Sequence, residues 1–350
     1  MPLRVPPSRP KRESMTVAEL TQDLKELVNI DIRLCTDESR CQAKQITECT
    51  LHRPGLALAG FVETFTHQRI QILGNTEIEY LLHLPKEESR DRFKHVCSFE
   101  SPAIILTSGN ELPADLLHEA DLQGIPVLST NLETTRFMSI LQDYMDDQFA
   151  DQTMIHGSMV DVYGIGLLIA GKSGIGKSEV AMDLVERGHR LVSDDVVMLT
   201  RKNSVIMTSA TEMNKHFMEI RGLGVVDVLS MFGIRSIRYQ KRLEVVVELN
   251  LWDDEQKVER TGLTNETVDL MGISLPLIRV PMTPGKNITV IAEVIAMNHL
   301  LKHYGYDAAK AFQAKVQTQI ERKMNGESVE SAPTAGRPGS AISYFEGDVE

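Results

Sequence analysis

The sequence predicts an α/β protein of two domains, and three observations support this fold class. The 350 residues are enough for two domains that each bury a core. From about residue 15 to 145, short apolar runs alternate with helical stretches, which is typical of a mainly parallel sheet covered by helices. A second series of strands and helices surrounds a glycine-rich loop at residues 171–178. We therefore expect an N-terminal α/β domain at 15–145 and a second domain at 153–325.

The composition is typical of a globular protein and argues against several classes of function. Apolar residues make up 42% of the chain and charged residues 25%. A net charge of −12 argues against a nucleic-acid partner, and no apolar run approaches the roughly 20 residues of a membrane span. No signal peptide is recognisable, and the cysteines match no zinc spacing. We therefore expect a cytoplasmic protein with isolated, mostly buried thiols at Cys35, Cys41, Cys49 and Cys97.

Three segments outside the two domains differ from them in composition. Residues 1–14 contain four prolines and a basic cluster, and residues 326–350 are rich in Ser, Pro, Gly and acidic residues. Both compositions predict disorder, because such segments bury too little apolar surface to fold. The polar residues 146–152 predict a linker between the domains.

In the first domain, helices and strands are predicted from periodicity. Ser14 and Thr16 are candidate caps of a helix that begins near Val17 and carries leucines at 20, 24 and 27 on one face. Strands are predicted at 56–61, 69–73, 103–106 and 126–128, with a helix at 114–123. This domain contains no recognisable catalytic constellation.

In the second domain, one long apolar strand is predicted at residues 160–170, directly before the glycine-rich loop. Further strands are predicted at 243–251 and 277–280. A helical pattern from about 290 to 323 is interrupted near Gly305, which predicts two consecutive helices.

The loop itself is the most specific motif in the chain. Its eight residues match G-x-x-x-x-G-K-[ST], the pattern that cradles nucleotide phosphates: Gly171, Lys172, Ser173, Gly174, Ile175, Gly176, Lys177 and Ser178. A strand precedes the loop, and residues 179–187 form a helical pattern that ends at Gly188, as this motif requires. Lys177 is placed to reach the outer phosphates and the Ser178 hydroxyl to bind Mg²⁺. The alternative is a tight turn without a ligand.

Two adjacent carboxylates follow this helix. Residues 189–197 predict a strand that returns beside the first strand and carries Asp194 and Asp195. Neighbouring strand residues face opposite sides, so one of the two is expected to face the nucleotide. The alternative is a role in ending or capping the strand.

Other polar residues carry weaker signals. Glu219 lies among apolar residues and glycines and could be a second metal ligand, or simply an ion-pair partner of Arg221. His156 precedes the strand of the loop, and Arg260 follows an acidic stretch. Read alone, these two residues are a structural histidine and a surface ion-pair partner.

In their order and spacing, these motifs resemble the HPr kinase/phosphorylase family, bacterial enzymes that phosphorylate a serine of the phosphocarrier HPr and also remove that phosphate. The matching stretches in the second domain are 156–157, 171–179, 187–195, 219–224, 259–262, 281–287 and 293–298. Stretches 53–56 and 69–74 resemble the family's first domain.

The resemblance implies a catalytic set and a cofactor. By position, the catalytic residues are His156, Lys177, Asp195 and Arg260, and the Mg²⁺ ligands are Ser178 and Glu219. ATP is the implied phosphoryl donor, with inorganic phosphate and pyrophosphate in the reverse direction. The family's second domain resembles phosphoenolpyruvate carboxykinase and assembles as a hexamer that binds HPr or a homologue.

One stretch departs from the family. Residues 281–287 usually read Pro-Val-Arg-Pro-Gly-Arg-Asn, a segment tied to dephosphorylation, whereas this chain has Thr283 and Lys286 in place of the arginines. The departure predicts a weaker phosphorylase activity. Two other functions stay open at this point, a P-loop kinase of small molecules and a nucleotide-binding regulatory module without turnover.

Overall fold

The computed structural model describes residues 6–251, 266–283 and 285–324. Within these ranges the chain forms two α/β units, which confirms the predicted fold class. None of the described helices is both long and apolar enough to cross a bilayer.

The first part of the chain contains short strands and the helices that cover them. In order, they are β1 (Arg9–Pro10), β2 (Met15–Thr16), α1 (Val17–Glu26), β3 (Arg33–Leu34), α2 (Glu38–Ala43), β4 (Gln45–Ile46), β5 (Leu51–His52), α3 (Gly55–Leu58), β6 (Ile70–Leu73), α4 (Asn75–His83), α5 (Lys86–Cys97), β7 (Ile104–Leu106), α6 (Ala114–Leu122), β8 (Val127–Ser129) and α7 (Thr134–Gln148).

The central sheet of the first domain has the strand order β3-β8-β7-β6-β5. Strands β5 to β8 run parallel and only β3 is antiparallel, which confirms the predicted, mainly parallel sheet. Helices α1 and α7 pack on one face of the sheet, and α3 to α6 on the other. The predicted start of α1 is also confirmed, because Thr16 caps the helix in a capping box with Glu19.

The predicted strand at 56–61 is wrong, because this segment begins as helix α3. The Leu58 N–H bonds to the Pro54 carbonyl at 2.9 Å, and the turn ends at Gly60 with φ +102°. Leu56 is 70% exposed, so the apolar run is not buried on both sides as a central strand would be.

The second part of the chain is richer in strands. In order, the elements are β9 (Asp151–His156), β10 (Ser158–Val162), β11 (Ile165–Gly171), α8 (Lys177–Glu186), β12 (Arg190–Ser193), β13 (Val196–Lys202), β14 (Val205–Ser209), β15 (Phe217–Ile220), β16 (Gly224–Asp227), α9 (Val228–Phe232), a 3₁₀ turn (Ile234–Ser236), β17 (Gln240–Arg242), β18 (Val245–Leu251), β19 (Thr267–Leu270), β20 (Ile273–Met282), α10 (Ile288–His303) and α11 (Ala308–Met324).

Two large sheets form the core of the second domain, beside the small hairpin β15–β16. One has the order β12-β10-β11-β18-β20-β19, with β11, β18 and β20 parallel, and α8 and α10 pack on one of its faces. The second sheet, β1-β9-β13-β14-β17, shares a core with the opposite face. The carboxyl ends of β11, β18 and β20 therefore meet at one edge, where the glycine-rich loop begins.

The predicted single strand at 160–170 is instead the hairpin β10–β11. Its turn consists of Tyr163 and Gly164, both at positive φ (+53° and +84°), as a tight two-residue hairpin turn requires. The helical pattern near the C-terminus does divide as predicted, with Gly305 at φ +87° between α10 and α11.

Two predicted flexible segments are ordered. The disorder prediction for 1–14 is wrong for residues 6–14, because β1 pairs with β9 and the Lys11 N–H bonds to the Ala150 carbonyl. The predicted linker 146–152 consists mostly of regular secondary structure, because it contains the end of α7 and the start of β9. Asp147 on α7 binds Lys11 at 3.0 Å and Lys202 at 2.5 Å, which joins the first domain to the second. The tail 326–350 lies outside the described residues.

Candidate active site

The glycine-rich loop connects β11 to α8 at the shared carboxyl edge. Gly176 is the N-cap of α8 with φ +105°, a conformation that a residue with a side chain rarely adopts. A Cβ on Gly171 would lie 2.7 Å from the Leu249 carbonyl oxygen, so the loop starts where β11 and β18 are in close contact. Lys177 opens the helix, and its Nζ donates to the carbonyls of Gly171 and Lys172 at 3.4 and 3.3 Å. The free N–H groups of this helix end favour an anionic ligand.

Asp194 is the carboxylate in direct contact with the loop. The Ser178 hydroxyl donates to its Oδ2 at 2.8 Å, and the Ser158 hydroxyl donates to its Oδ1 at 2.5 Å. Asp194 is only 1% exposed. Burial raises the pKa of its carboxyl, and the two serine hydrogen bonds oppose that rise.

Asp195 lies at the centre of a tight turn and not within a strand. The Val196 N–H bonds to the Asp194 carbonyl at 2.8 Å, and Asp195 has φ +64°. For a residue other than glycine, such a conformation costs about 1–3 kcal/mol. The predicted strand at 189–197 is therefore divided into β12 and β13, which belong to different sheets. The predicted βαβ pairing is also wrong, since β12 pairs antiparallel with β10 and is not adjacent to β11.

This turn brings His156 and Asp195 together. The Nδ1 of His156, at the end of β9, lies 3.7 Å from the Asp195 Oδ1 and 3.2 Å from its carbonyl oxygen. Both side chains are open to solvent, at 81% and 69% exposure. The two neighbouring aspartates thus have opposite surroundings, Asp194 inside against the loop and Asp195 outside beside a histidine.

Glu219 lies on β15, in the hairpin that packs against α8. Its exposed carboxylate forms no ion pair or side-chain hydrogen bond with another described residue, so the simple ion pair with Arg221 is absent. Arg221 instead lies over the glycine-rich loop, with its Nη2 2.6 Å from where a Cβ on Gly174 would stand. In the described ranges, no cluster of three or more His, Cys, Asp or Glu side chains is arranged to hold a metal ion.

The segment that departs from the family lies at the end of β20. The Met282 methyl is 3.7 Å from where a Cβ on Gly176 would stand, so this strand ends beside the loop. Thr283 is half-buried and Lys286 is exposed, and the Lys286 N–H bonds to the Thr283 carbonyl. Asn287 caps α10 by accepting from the Val290 N–H at 3.1 Å. Arg260 lies outside the described residues.

Two other matching stretches, 187–195 and 293–298, meet in an ion cluster around the buried Glu293 carboxylate. Arg187, at the end of α8, donates two hydrogen bonds to Glu293 on α10, at 2.8 and 2.7 Å. His189 Nε2 lies 3.0 Å from the same carboxylate. These bonds, those from Arg187 first, lower the pKa of Glu293 below its ordinary value of 4.5. The cluster fixes α8 relative to α10, so these residues serve the structure around the site.

Sequence reasoning missed two of the contacts at this edge. Ser158 carried no signal, because a serine that opens a strand is common, and Arg221 was considered only as a partner of Glu219. The signal for Arg221 was its position between Glu219 and two glycines, in a hairpin that packs beside the loop.

The glycine-rich loop 171–178 is a P-loop, with the buried Asp194 and the exposed Asp195 beside it. These features define the chain as a phosphate-binding protein of the P-loop class. Residues 15–145 match the family model for the HPr Serine kinase N terminus, and residues 147–316 match that for the HPr Serine kinase C-terminal domain. The chain therefore belongs to the HPr kinase/phosphorylase family, as the motifs predicted.

Two sequence relatives agree with the family models. The chain is 49% identical over 342 residues to the HPr kinase/phosphorylase of Chloroherpeton thalassium, covering 97% of this chain and 98% of that protein. It is 50% identical over 312 residues to that of Prosthecochloris aestuarii, covering 89% and 92%. The solved structure of the Hpr(Ser) kinase/phosphatase from Coxiella burnetii is 31% identical, with a TM-score of 0.41, and covers 45% of this chain and 97% of that one.

Proposed function

We propose that this chain transfers the terminal phosphoryl group of ATP to a serine of HPr or a homologous carrier, and that it also dephosphorylates the product with inorganic phosphate. Family membership supports HPr as the substrate and supports both its phosphorylation and its dephosphorylation. The observation that carries the chemistry is the contact of 2.8 Å between Ser178 and Asp194 at the phosphate end of the loop. We also propose that the protein works in the cytoplasm.

A magnesium ion fits this pair of side chains. Mg²⁺ prefers hard oxygen ligands, and Ser178 offers a hydroxyl while Asp194 offers a carboxylate. When bound, the ion neutralises charge on the phosphate oxygens. Glu219 remains a proposed further ligand, supported by the family position and by the packing of its hairpin against α8.

The protein residues then have separate tasks in phosphorylation. The backbone of the loop binds the phosphates, while Lys177 and Arg260 offset the charge on the transferring group. Asp195 accepts the proton of the serine hydroxyl as its oxygen bonds to phosphorus and the bond to ADP breaks. Its exposed carboxylate suits a protein substrate that docks from solvent. We assign His156 a helping role in positioning phosphate.

In the reverse direction, an oxygen of inorganic phosphate bonds to the phosphorus of phosphoserine. The serine oxygen leaves and regains its proton from Asp195, and the products are serine and pyrophosphate. Two anions must approach each other in this step, which favours arginine, since its planar group can bind two oxygens at once. In place of the two arginines of the family, Thr283 carries no charge and Lys286 carries only a point charge. We therefore propose that kinase activity exceeds phosphorylase activity.

We further propose a homo-oligomer, most simply the hexamer implied by the family. Large apolar side chains are exposed along α10 and α11, among them Val294, Leu301 and Phe312. A row of this kind on two consecutive helices suits burial against another subunit.

The test is transfer of label from γ-³²P-ATP to purified HPr. We expect labelled HPr with the natural chain and no label with Lys177→Ala, which should also bind ATP far more weakly. Lys94→Ala, an exposed lysine on α5 in the first domain, is the matched control and should keep full activity. A labelled small molecule would instead indicate a small-molecule kinase, and nucleotide binding without transfer a regulatory module. Normal turnover by Lys177→Ala would show that residues 171–178 are not the phosphate cradle.

A further inference from the structure

We propose that Asn214 is a positioning residue that holds the turn of Asp194 and Asp195, and thereby fixes the Asp195 carboxylate for proton transfer. The inference rests on the proposed function, in which Asp195 is the proton acceptor. Asn214 lies in the connection between β14 and β15, and no motif in the sequence marks it.

The amide of Asn214 donates to the backbone on both sides of Asp195. Its Nδ2 lies 2.7 Å from the Asp194 carbonyl oxygen and 2.7 Å from the Val196 carbonyl oxygen. The Ser193 hydroxyl oxygen is a third acceptor, at 3.2 Å. One side chain from a distant loop therefore bridges the carbonyl groups of the two residues on either side of the positive-φ Asp195.

The other end of the amide is fixed as well. The Asn214 Oδ1 accepts from the Thr211 N–H at 2.7 Å and from the Thr211 hydroxyl at 2.6 Å. If the Asn214 amide were reversed, its oxygen would face the carbonyl oxygens of Asp194 and Val196. The hydrogen bonds therefore determine the orientation of the Asn214 amide. Aspartate at this position has the same shape but no donor, and it would place a negative charge beside the same two carbonyls.

The Asp195 side chain depends on its backbone for its position. It is largely exposed, and among the described residues its carboxylate has a single close polar partner, His156 at 3.7 Å. The Gly157 N–H donates to the Asp195 backbone carbonyl at 3.1 Å, and Asn214 donates to the carbonyls of the residues before and after Asp195. A catalytic group displaced by about 1 Å can lose about 100-fold in rate. The loop that carries Asn214 continues into β15, so the same residue ties this turn to the strand of Glu219.

The experiment compares Asn214→Asp with Asn203→Asp in the full chain. Asn203 makes the matched control, because it lies in an exposed turn at φ +51°, outside the proposed site, where aspartate is tolerated. We expect Asn214→Asp to lower kcat for HPr phosphorylation by about 10- to 100-fold, while the KM for ATP changes by less than about twofold. Asn203→Asp should match the natural chain. If Asn214→Asp does not fold, Thr211→Val, which removes one hydrogen bond to the amide, should give a smaller loss of kcat.

Two further measurements separate positioning from general destabilisation. In an Asp195→Asn background, Asn214→Asp should cost little more activity, because both changes act on one group. Amide hydrogen exchange should also rise at Val196 and Gly157, whose N–H groups bond to the carbonyls of this turn. Additive losses, or unchanged exchange at these two amides, would overturn the inference. If the natural chain transfers no phosphate to HPr, the proposed function fails, and the exchange data still decide the role of Asn214.

Discussion

Replacing Asp195 by asparagine removes proton acceptance and little else. Asparagine has nearly the same shape and tolerates a φ of +64° as well as aspartate does, so the turn should persist. The side chain is 69% exposed, so the free energy of unfolding should change by no more than about 0.5 kcal/mol. Loss of a general base lowers the rate by about 10²–10⁴-fold, equivalent to about 2.7–5.5 kcal/mol in the barrier.

The assay measures single-turnover phosphorylation of HPr and phosphate-dependent release of pyrophosphate with Asp195→Asn and, in parallel, Asp194→Asn. We expect the rates of phosphorylation and of dephosphorylation to fall steeply with Asp195→Asn, while ATP binding is retained. Asp194→Asn should be milder on the chemical step and should weaken Mg²⁺ binding, because Asp194 contacts Ser178. Its pKa is raised by burial, so loss of this buried charge should not destabilise the fold at neutral pH. Equal kinetic losses in the two variants would leave the choice between the neighbours without support.

The remaining predictions concern the reverse reaction, the assembly and the ion cluster. Thr283→Arg combined with Lys286→Arg should raise the rate of phosphate-dependent dephosphorylation and leave the rate of ATP-dependent phosphorylation nearly unchanged. If the natural chain already catalyses both reactions equally fast, the inference from Thr283 and Lys286 is wrong. The natural chain should elute as a multimer in size-exclusion chromatography with light scattering. A fragment of residues 150–325 should still oligomerise and phosphorylate HPr. A folded but inactive fragment would show that the first domain contributes to the site. Glu293→Gln should lower the free energy of unfolding by about 2 kcal/mol at pH 7. Because the folded pKa of Glu293 lies below its ordinary 4.5, this stabilisation is present above that pH and lost below it, so thermal melts of the two proteins should converge as the medium becomes more acidic.

The sequence predicts best where the local pattern and the final structure require the same residues. The P-loop is an example, because its glycines, lysine and serine have one arrangement between a strand and a helix. The capped start of α1 at Thr16 and the parallel strands of the first domain follow from local patterns too. Residues 160–170 were harder, because the turn at Tyr163 and Gly164 lies within a mostly apolar stretch.

The missed features depend on contacts between segments that are distant in the sequence. The strand break at Asp195 is stabilised in part by Asn214, 19 residues away, and a pattern of neighbouring residues contains no sign of it. Likewise, β1 is only two residues long and forms because β9 offers an open edge. The proline-rich composition of residues 6–14 is typical of a disordered peptide, and composition alone does not show that β9 is available for pairing.

Strand β1 also has a practical consequence for handling the protein. The family model begins at residue 15, so a chain trimmed to that boundary loses the segment that covers the outer edge of β9. Unpaired edge strands are templates for pairing with another chain, and proline and charged residues on an edge discourage such pairing. Arg9, Pro10 and Lys11 supply these residues here. Trimming them would uncover the start of β9 at Asp151 and Gln152, so self-association by the shortened chain would begin at the end of this strand that is away from His156.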